Sequence, residues 1–309
     1  MAETKTKVKP KKNKLGRYNN WAYLFVAPFV IVFLIFSVYP VFRTLYLSFM
    51  NYKGFGDTDF VGLKNYARVL TDKFFWTSLW NTIRIWSVNI VLQLGLAFLL
   101  TIIFSDIKYK IKGLSVFRAI YYLPGIIAAT SIAYLFGTLL DWRFGTVNQI
   151  LAKVGVNPPI NWMGDPKTAG LVISLIQTWI WFGNSFIMLM AGVQGINSDY
   201  FEAAAIDGAT RWQRFFKITL PLLRPIMLYV TITSLIGGIQ MFDLPFLMCG
   251  GVAGNPYGTT QTAIMYLYKF GFATRPKQVG YASAVAYVLF AIILIVSLVQ
   301  FKVMNKKED

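Results

Sequence analysis

The chain has 309 residues, of which 56% are hydrophobic, 17% aromatic and only 14% charged, and its mean hydropathy is +0.53. That balance excludes an ordinary soluble domain and points to an integral membrane protein. Thirty Lys and Arg stand against 13 Asp and Glu, with no histidine and one cysteine, Cys249; an internal disulfide, a His-ligated metal site and a His-dependent catalytic triad are excluded.

Residues 1–20 read as a basic cytoplasmic tail: positions 3–17 carry seven Lys or Arg with Pro10 and no apolar periodicity, a composition that predicts disorder. An apolar run then extends from Trp21 to about Ser48. A basic head before an apolar run imitates a signal peptide, but this one is too long and lacks a small-x-small cleavage site, so it reads as a retained span. Further runs at about 80–104, 117–140, 169–194, 219–248 and 281–302 come near or exceed the roughly 20 residues that cross a bilayer. The expected fold is an all-α membrane protein with six transmembrane helices within 21–303 and a short cytoplasmic tail at 304–309.

Counting Lys and Arg by compartment puts 18 on the side of both termini and residues 195–224, 10 on the other side, and Arg43 and Arg84 within spans. The richer side is expected to be cytoplasmic. No aromatic-interleaved nucleic-acid motif accompanies the basic excess, so topology explains it better than nucleic acid does. Pro28, Pro40, Pro124 and Pro245 are each expected to kink a helix. Trp21, Tyr23, Trp76, Trp80, Trp142 and Tyr281, clustered where spans end, read as an interfacial belt.

Two sets of polar residues inside spans could carry transport. Gln177, Trp181, Asn184 and Met188 recur at helical spacing in the fourth span and share one face. Amides beside an aromatic plane suit a sugar, offering hydrogen bonds to hydroxyls and a surface to stack on; the alternative is a hydrogen bond that only joins helices. Asp243, three residues after Gln240 in the fifth span, is the only acid deep in an apolar run. It could bind substrate hydroxyls, pair with Arg84 or Arg43, or carry a coupling proton. The two faces are expected to meet around a wet central path.

Between the fourth and fifth spans lies a polar stretch at 197–221. Asp199 with Glu202 reads as a capping box opening one short helix, and Thr210 with Gln213 as a second box opening a helix over Arg211 to Ile218. Asp207 and Gly208 separate them. The chain contains no Gly-x4-Gly-Lys-Ser/Thr loop, so ATP chemistry by that route would have to come from another polypeptide.

Glu202, Ala203, Ala204, Gly208, Ile218, Leu220 and Pro221 stand at the spacing of the EAA loop of ABC importer permeases. Asp207, Arg211 and Phe215 fall within the same stretch. Ala27-Pro28 with Tyr39-Pro40, Phe60-Val-Gly62-Leu-Lys-Asn65-Tyr66, Phe242-Asp243-Leu244 and Tyr266-Leu-Tyr268 extend the resemblance from about residue 20 to 302. The chain thus resembles the carbohydrate-type ABC importer permeases, of the first-permease branch that includes maltose and glycerol-3-phosphate systems. The departure lies at Cys249 to Pro256, where the family commonly has a shorter Thr-Gly-Gly-Gly-Pro turn.

This resemblance implies a type I importer bundle with a cytoplasmic coupling helix. It also implies a second homologous permease, two ATPase subunits that bind ATP and Mg, and an extracytoplasmic solute-binding protein. The chain itself would be no enzyme and would hold no cofactor or metal. Its expected cargo is a sugar or oligosaccharide. A polyol or glycerol phosphate is the near alternative, and a self-sufficient proton-coupled transporter using Asp243 the distant one.

Overall fold

The computed structural model describes residues 19–104 and 113–304; the basic tail, most of the 105–118 loop and the end of the chain lie outside the described residues. Among the described residues, five helices are long and apolar enough to cross a membrane, and a sixth span results if one bent pair is counted as one. The first span joins α1 (Asn19–Phe33) through a π-helical turn at Leu34–Val38 to α2 (Tyr39–Ser48). A two-stranded antiparallel hairpin follows, β1 (Met50–Asn51) and β2 (Asp59–Phe60), with Met50 opposite Phe60. Next come α3 (Lys64–Thr71) and the long α4 (Lys73–Phe104).

The third span departs from expectation. A single helix over about 117–140 is replaced by α5 (Leu114–Ile126) and α6 (Ala129–Leu139), bent by 90°. Ile127 and Ala128 are extended between them, at ψ 137° and 135°. Pro124 lies inside the last turn of α5, where its missing N–H and its ring act back on the Ile120 carbonyl; the bend itself is made by the extended Ile127–Ala128 link that follows.

The chain continues through α7 (Thr146–Lys153), α8 (Pro166–Gln194), α9 (Ser198–Ile206) and α10 (Arg211–Arg214). A π-helical turn at Phe215–Thr219 then leads to α11 (Leu220–Leu222), α12 (Arg224–Ile239), α13 (Asp243–Met248), α14 (Ala263–Tyr268) and the last span, α15 (Val279–Met304). Two π-helical turns share a cause. Pro40 and Pro221 each stand four residues after a residue of such a turn, Phe36 and Lys217, and a proline ring collides with the carbonyl four residues back, which a wider turn relieves. Pro28, by contrast, sits within α1 without interrupting it. Pro245 falls in the first turn of α13, where a missing N–H costs nothing.

The centre of the bundle is the seam between α4 and α8. The Ser174 hydroxyl donates to the Ile85 carbonyl at 2.9 Å, Asn89 Nδ2 to Thr178 Oγ1 at 3.2 Å, and Gln93 Nε2 to Ser185 Oγ at 2.7 Å. All these side chains are buried. In a membrane, where apolar side chains gain nothing by leaving lipid, such cross-helix bonds contribute about 0.6 kcal/mol each and also set register. On the other flank of α8, α5 packs so close that a Cβ on Gly183 would lie 1.8 Å from the Tyr121 carbonyl oxygen. The first span is different in kind: Phe25, Phe29 and Phe36 are 81%, 72% and 74% exposed, so it lies outside this core.

The end of the bundle opposite α9 is tied by side-chain bonds. Asn65 Nδ2 donates to the Ser48 and Met50 carbonyls, fastening α3 to the hairpin. Asp72 accepts from the Tyr266 hydroxyl at 2.5 Å and from the Tyr281 hydroxyl at 3.0 Å. Arg68 lies 4.0 Å over the Tyr281 ring and donates to Gln278 Oε1 at 2.7 Å. Tyr281 is therefore no belt residue; at 3% exposure it is a buried member of a polar cluster. Its place at the start of an apolar run imitated an interfacial anchor, and only the fold brings Asp72 to it. Trp76, Trp80 and Trp142 are 44%, 64% and 44% exposed, as a belt requires.

Burial alone would raise the Asp72 pKa, but hydrogen bonds from Tyr266, the Phe74 N–H and Tyr281 outweigh it and hold the carboxyl below its ordinary value. A depressed carboxylate stabilises the fold above its unfolded pKa, and the contribution is lost as pH falls through the folded value. Asp72→Asn should thus lower the thermal unfolding midpoint of the detergent-solubilised protein at neutral pH, by an amount corresponding to about 1 kcal/mol. The gap to wild type should close as the pH drops below about 4; a gap that widens in acid would contradict the assignment.

Candidate transport cavity and coupling segment

Between α4, α8, the α5–α6 bend and the end of α12 lies a cavity of about 490 Å³. One wall is the inward face of α8, carrying Gln177, Trp181, Asn184 and Met188. The Trp181 indole N–H donates to Gln177 Oε1 at 3.0 Å, which fixes the ring one helical turn away, and the side chain remains 48% exposed. The opposite wall carries Gln240 and Asp243. The sequence reading placed both on one face of a continuous helix; instead α12 ends at Ile239, Gln240 caps it, and α13 begins at Asp243 after Phe242 at φ −137°, ψ −59°. The break swings Asp243 to the head of a short helix, where an acid favours the exposed N–H groups, yet both residues still line the cavity.

Asp243 is exposed to this space, and among the described residues no ion pair joins it to Arg84 or Arg43. Arg84 instead donates to the Thr259 carbonyl at 3.1 Å, and Arg43 lies 5.3 Å over the Tyr46 ring. The remaining polar lining comes from residues that sequence reasoning missed: Asn89 and Gln93 of α4, Ser185 of α8, and Tyr229, Thr233 and Ser234 of α12. The signal was present for two of them, since Asn89 and Gln93 are amides one helical turn apart in an otherwise apolar run. The α12 hydroxyls gave no such signal, because Ser and Thr are common in spans that only pack.

The segment after α8 is built for rigidity. The first helix opens two residues earlier than the sequence suggested: Asn197, not Asp199, is the cap, its side-chain oxygen accepting from the Asp199 N–H at 3.1 Å. Asn197 already satisfies that donor, so Asp199 serves within the first turn, where its charge meets the positive end of the helix. At the other end the Ala209 N–H reaches the Ala204 carbonyl at 2.9 Å and the Gly208 N–H the Ala205 carbonyl at 3.2 Å. With Gly208 at φ +70° this is a Schellman stop, and only glycine adopts that conformation without strain.

The second box is present as expected: Thr210 Oγ1 accepts from the Gln213 N–H and Gln213 Oε1 from the Thr210 N–H. The helix it opens is not regular to Ile218, however, but passes into the π-helical turn after Arg214, for the reason Pro221 supplies. Phe215, 3% exposed, packs edge-on against Phe98 of α4 with ring centroids 6.3 Å apart, and Phe201 is also buried. The contact of Phe215 anchors the segment to α4. Glu202, Ala203, Asp207, Gly208 and Pro221 face outward, Ala204, Arg211, Ile218 and Leu220 are half-buried, and Ile206 is 87% exposed.

Residues 96–306 match the family model described as binding-protein-dependent transport system inner membrane component. The chain belongs to that family: it is a multi-pass membrane component of a transport system and not an enzyme. It is 34% identical over 294 residues to the lactose transport system permease protein of Rhizobium radiobacter, covering 94% of this chain and 96% of that one. It is 32% identical over 307 residues to the trehalose/maltose transport system permease protein of Thermococcus litoralis, covering 98% of each. The arabinooligosaccharides transport system permease protein of Bacillus subtilis is 33% identical over 281 residues, covering 91% of this chain and 87% of that one. Among solved structures, a chain of a bacterial ABC transporter that imports the acidic polysaccharide alginate superposes with TM-score 0.80 over 96% of this chain and 100% of that one, at 23% identity. This establishes a shared fold, the ABC importer permease bundle.

Removing the Asn197 cap should loosen α9 specifically. Asn197→Ala should cost about 1 kcal/mol of local helix stability, seen as faster hydrogen exchange at the amides of α9 with unchanged exchange in α8; equal protection in wild type and variant would show that the cap contributes nothing.

Proposed function

We propose that this chain is the permease subunit of an ATP-driven importer of a sugar or oligosaccharide. The observation that carries the reading is the cavity itself: amides from α8 and α12, hydroxyls from α12 and the exposed face of Trp181 surround one space. That combination offers many weak hydrogen bonds and one stacking surface, which suits a hydroxylated ring that must be held and then released. The relatives named for lactose, trehalose/maltose and arabinooligosaccharides support the same cargo class.

On this reading α9 docks against an ATPase subunit, presenting Glu202, Ala203 and Ile206, while Phe215 ties the segment back to α4. Closure of an ATPase pair would push α9, and the push would travel into α8 and the cavity wall. A second permease would complete the membrane pathway, and a solute-binding protein would deliver cargo at the other end. A structural neighbour is described as bound to an alginate pentasaccharide-loaded periplasmic protein, an arrangement in keeping with this one. The distribution of Lys and Arg, 18 against 10, supports cytosolic placement of α9 and of both termini.

The test is coupling. The complex should copurify with ATPase subunits, and Gly208→Pro, which denies α9 its Schellman stop, or Glu202→Lys should uncouple ATP hydrolysis from uptake while leaving the protein in the membrane. Wild-type coupling in both variants would overturn the assignment of α9. Orientation is tested in a Cys249→Ser background. Trp212→Cys should react only with reagents that reach the cytosol and Asn157→Cys with impermeant external ones; the reverse pattern would overturn the topology.

A further inference from the structure

The short helix α3 has three sides of different chemistry, each set by helical spacing, and the bundle uses only one of them fully. Asn65, Tyr66 and Val69 make the inner side: Asn65 donates to the Ser48 and Met50 carbonyls, the Tyr66 hydroxyl meets that of Ser48 at 2.7 Å, and Val69 is fully buried. Lys64, Arg68 and Thr71 make a polar, exposed side. Leu63, which caps the helix, Ala67 and Leu70 make the third. That side is wholly apolar, yet Leu63 and Leu70 are 68% and 54% exposed. The helix carries no carboxylate. Such a pattern suits a helix between two phases, water against the polar side and an apolar medium against the leucines.

The position of α3 identifies the medium. Asn65 holds it to Ser48, the last residue of α2; Arg68 donates to Gln278, next to the start of α15; and α4 begins two residues after α3 ends. Three spans therefore begin or end beside it, which puts α3 at the level of the membrane surface, at the end of the bundle opposite α9. Its apolar side is also continuous with the aromatic belt. The Trp76 indole N–H donates to the Leu70 carbonyl at 2.9 Å, and Trp80, one turn further along α4, is exposed. Lys64 and Lys73, exposed near the two ends of α3, have apolar stems that can lie along the helix while their ammonium groups reach phosphates beside it.

We infer that α3 is an interfacial helix bound to phospholipid: it lies in the headgroup layer with Leu63, Ala67 and Leu70 against acyl chains and Lys64 and Lys73 at the lipid phosphates. The inference does not depend on the cargo. Asp72 and Arg68 tie the same corner to Tyr281 of α15, so a lipid-seated α3 holds the starts of α4 and α15 at one depth in the bilayer.

Electron-spin power saturation tests this on the complete membrane complex in nanodiscs of phosphatidylethanolamine and phosphatidylglycerol. Nitroxide labels are placed singly at Leu63→Cys, Ala67→Cys and Leu70→Cys in a Cys249→Ser background. Thr71→Cys on the polar side and Val91→Cys, exposed midway along α4, serve as references. Oxygen, which partitions into lipid, should reach the three stripe labels better than a water-soluble nickel chelate does. Their depth should come out about 5–10 Å inside the headgroup boundary, shallower than Val91, and the Thr71 label should show the reverse preference. Stripe labels that prefer nickel as the Thr71 label does would put that side in water, and stripe labels shielded from both reagents would put a protein subunit on it; either result would overturn the inference. Should one variant fail to assemble, the remaining two decide.

Discussion

The seam between α4 and α8 is the constraint on which the rest of the structure depends. Each helix carries polar side chains that lipid would not tolerate, and each finds its partner on the other: Ser174 on the Ile85 carbonyl, Asn89 on Thr178, Gln93 on Ser185. A slip of one residue would part the Asn89 and Gln93 amides from these partners at once, while Ser174 and Thr178 would keep their bonds to carbonyls of α8 itself, so it is the two amides that set the rotation and height of α8. That fixed rotation decides which face of α8 is left over. The remaining face, with Gln177, Trp181 and Asn184, has no helix against it and becomes the cavity wall.

The same helix runs directly into the α9–α10 segment, for which the coupling role is proposed. From Gln194 only Gly195 to Asn197 intervene before α9 begins, and Asn197 caps the new helix at once. Phe215 then returns to α4 through Phe98, so the segment is held at its start by α8 and further along by α4, the two partners of the seam. A displacement of α9 is thus delivered to the pair of helices that shape the cavity, which is what the proposed coupling requires. The irregular places in this part of the chain are defined: the extended Ile127–Ala128 break and the π-helical turn before Pro221, the latter relieving the collision of the proline ring with the carbonyl four residues back.

Much of this was legible in the sequence, and the failures have physical causes. Spans were readable because apolar runs of sufficient length have few other uses, and the Gln177–Met188 face because a helix converts spacing into direction. The Thr210–Gln213 box was readable since capping is local chemistry. What escaped was whatever depends on distant neighbours or on competition between local choices. Asn197 outcompeted Asp199 as a cap because it lay closer to the true helix start, and the third span broke at Ile127–Ala128, inside an apolar run whose pattern marks no boundary there. Tyr281 carried the composition of a membrane anchor but folded into a cluster with Asp72 and Tyr266, a contact spanning 209 residues in one case that no local pattern announces.

The central claim is that α9 moves as one body with the α4–α8 pair that shapes the cavity. It is tested by pulsed electron-spin distance measurement in a Cys249→Ser background, with labels at Leu175→Cys on α8 and Ala205→Cys on α9, and a second pair joining Ala205→Cys to Tyr134→Cys on α6. In the complex reconstituted with its ATPase partners, the α8–α9 distance should stay constant on trapping the ATP-bound state while the α9–α6 distance changes. An α8–α9 distance that shifts as much as the other would show that the connection at Gly195–Asn197 is a hinge, and would contradict the account.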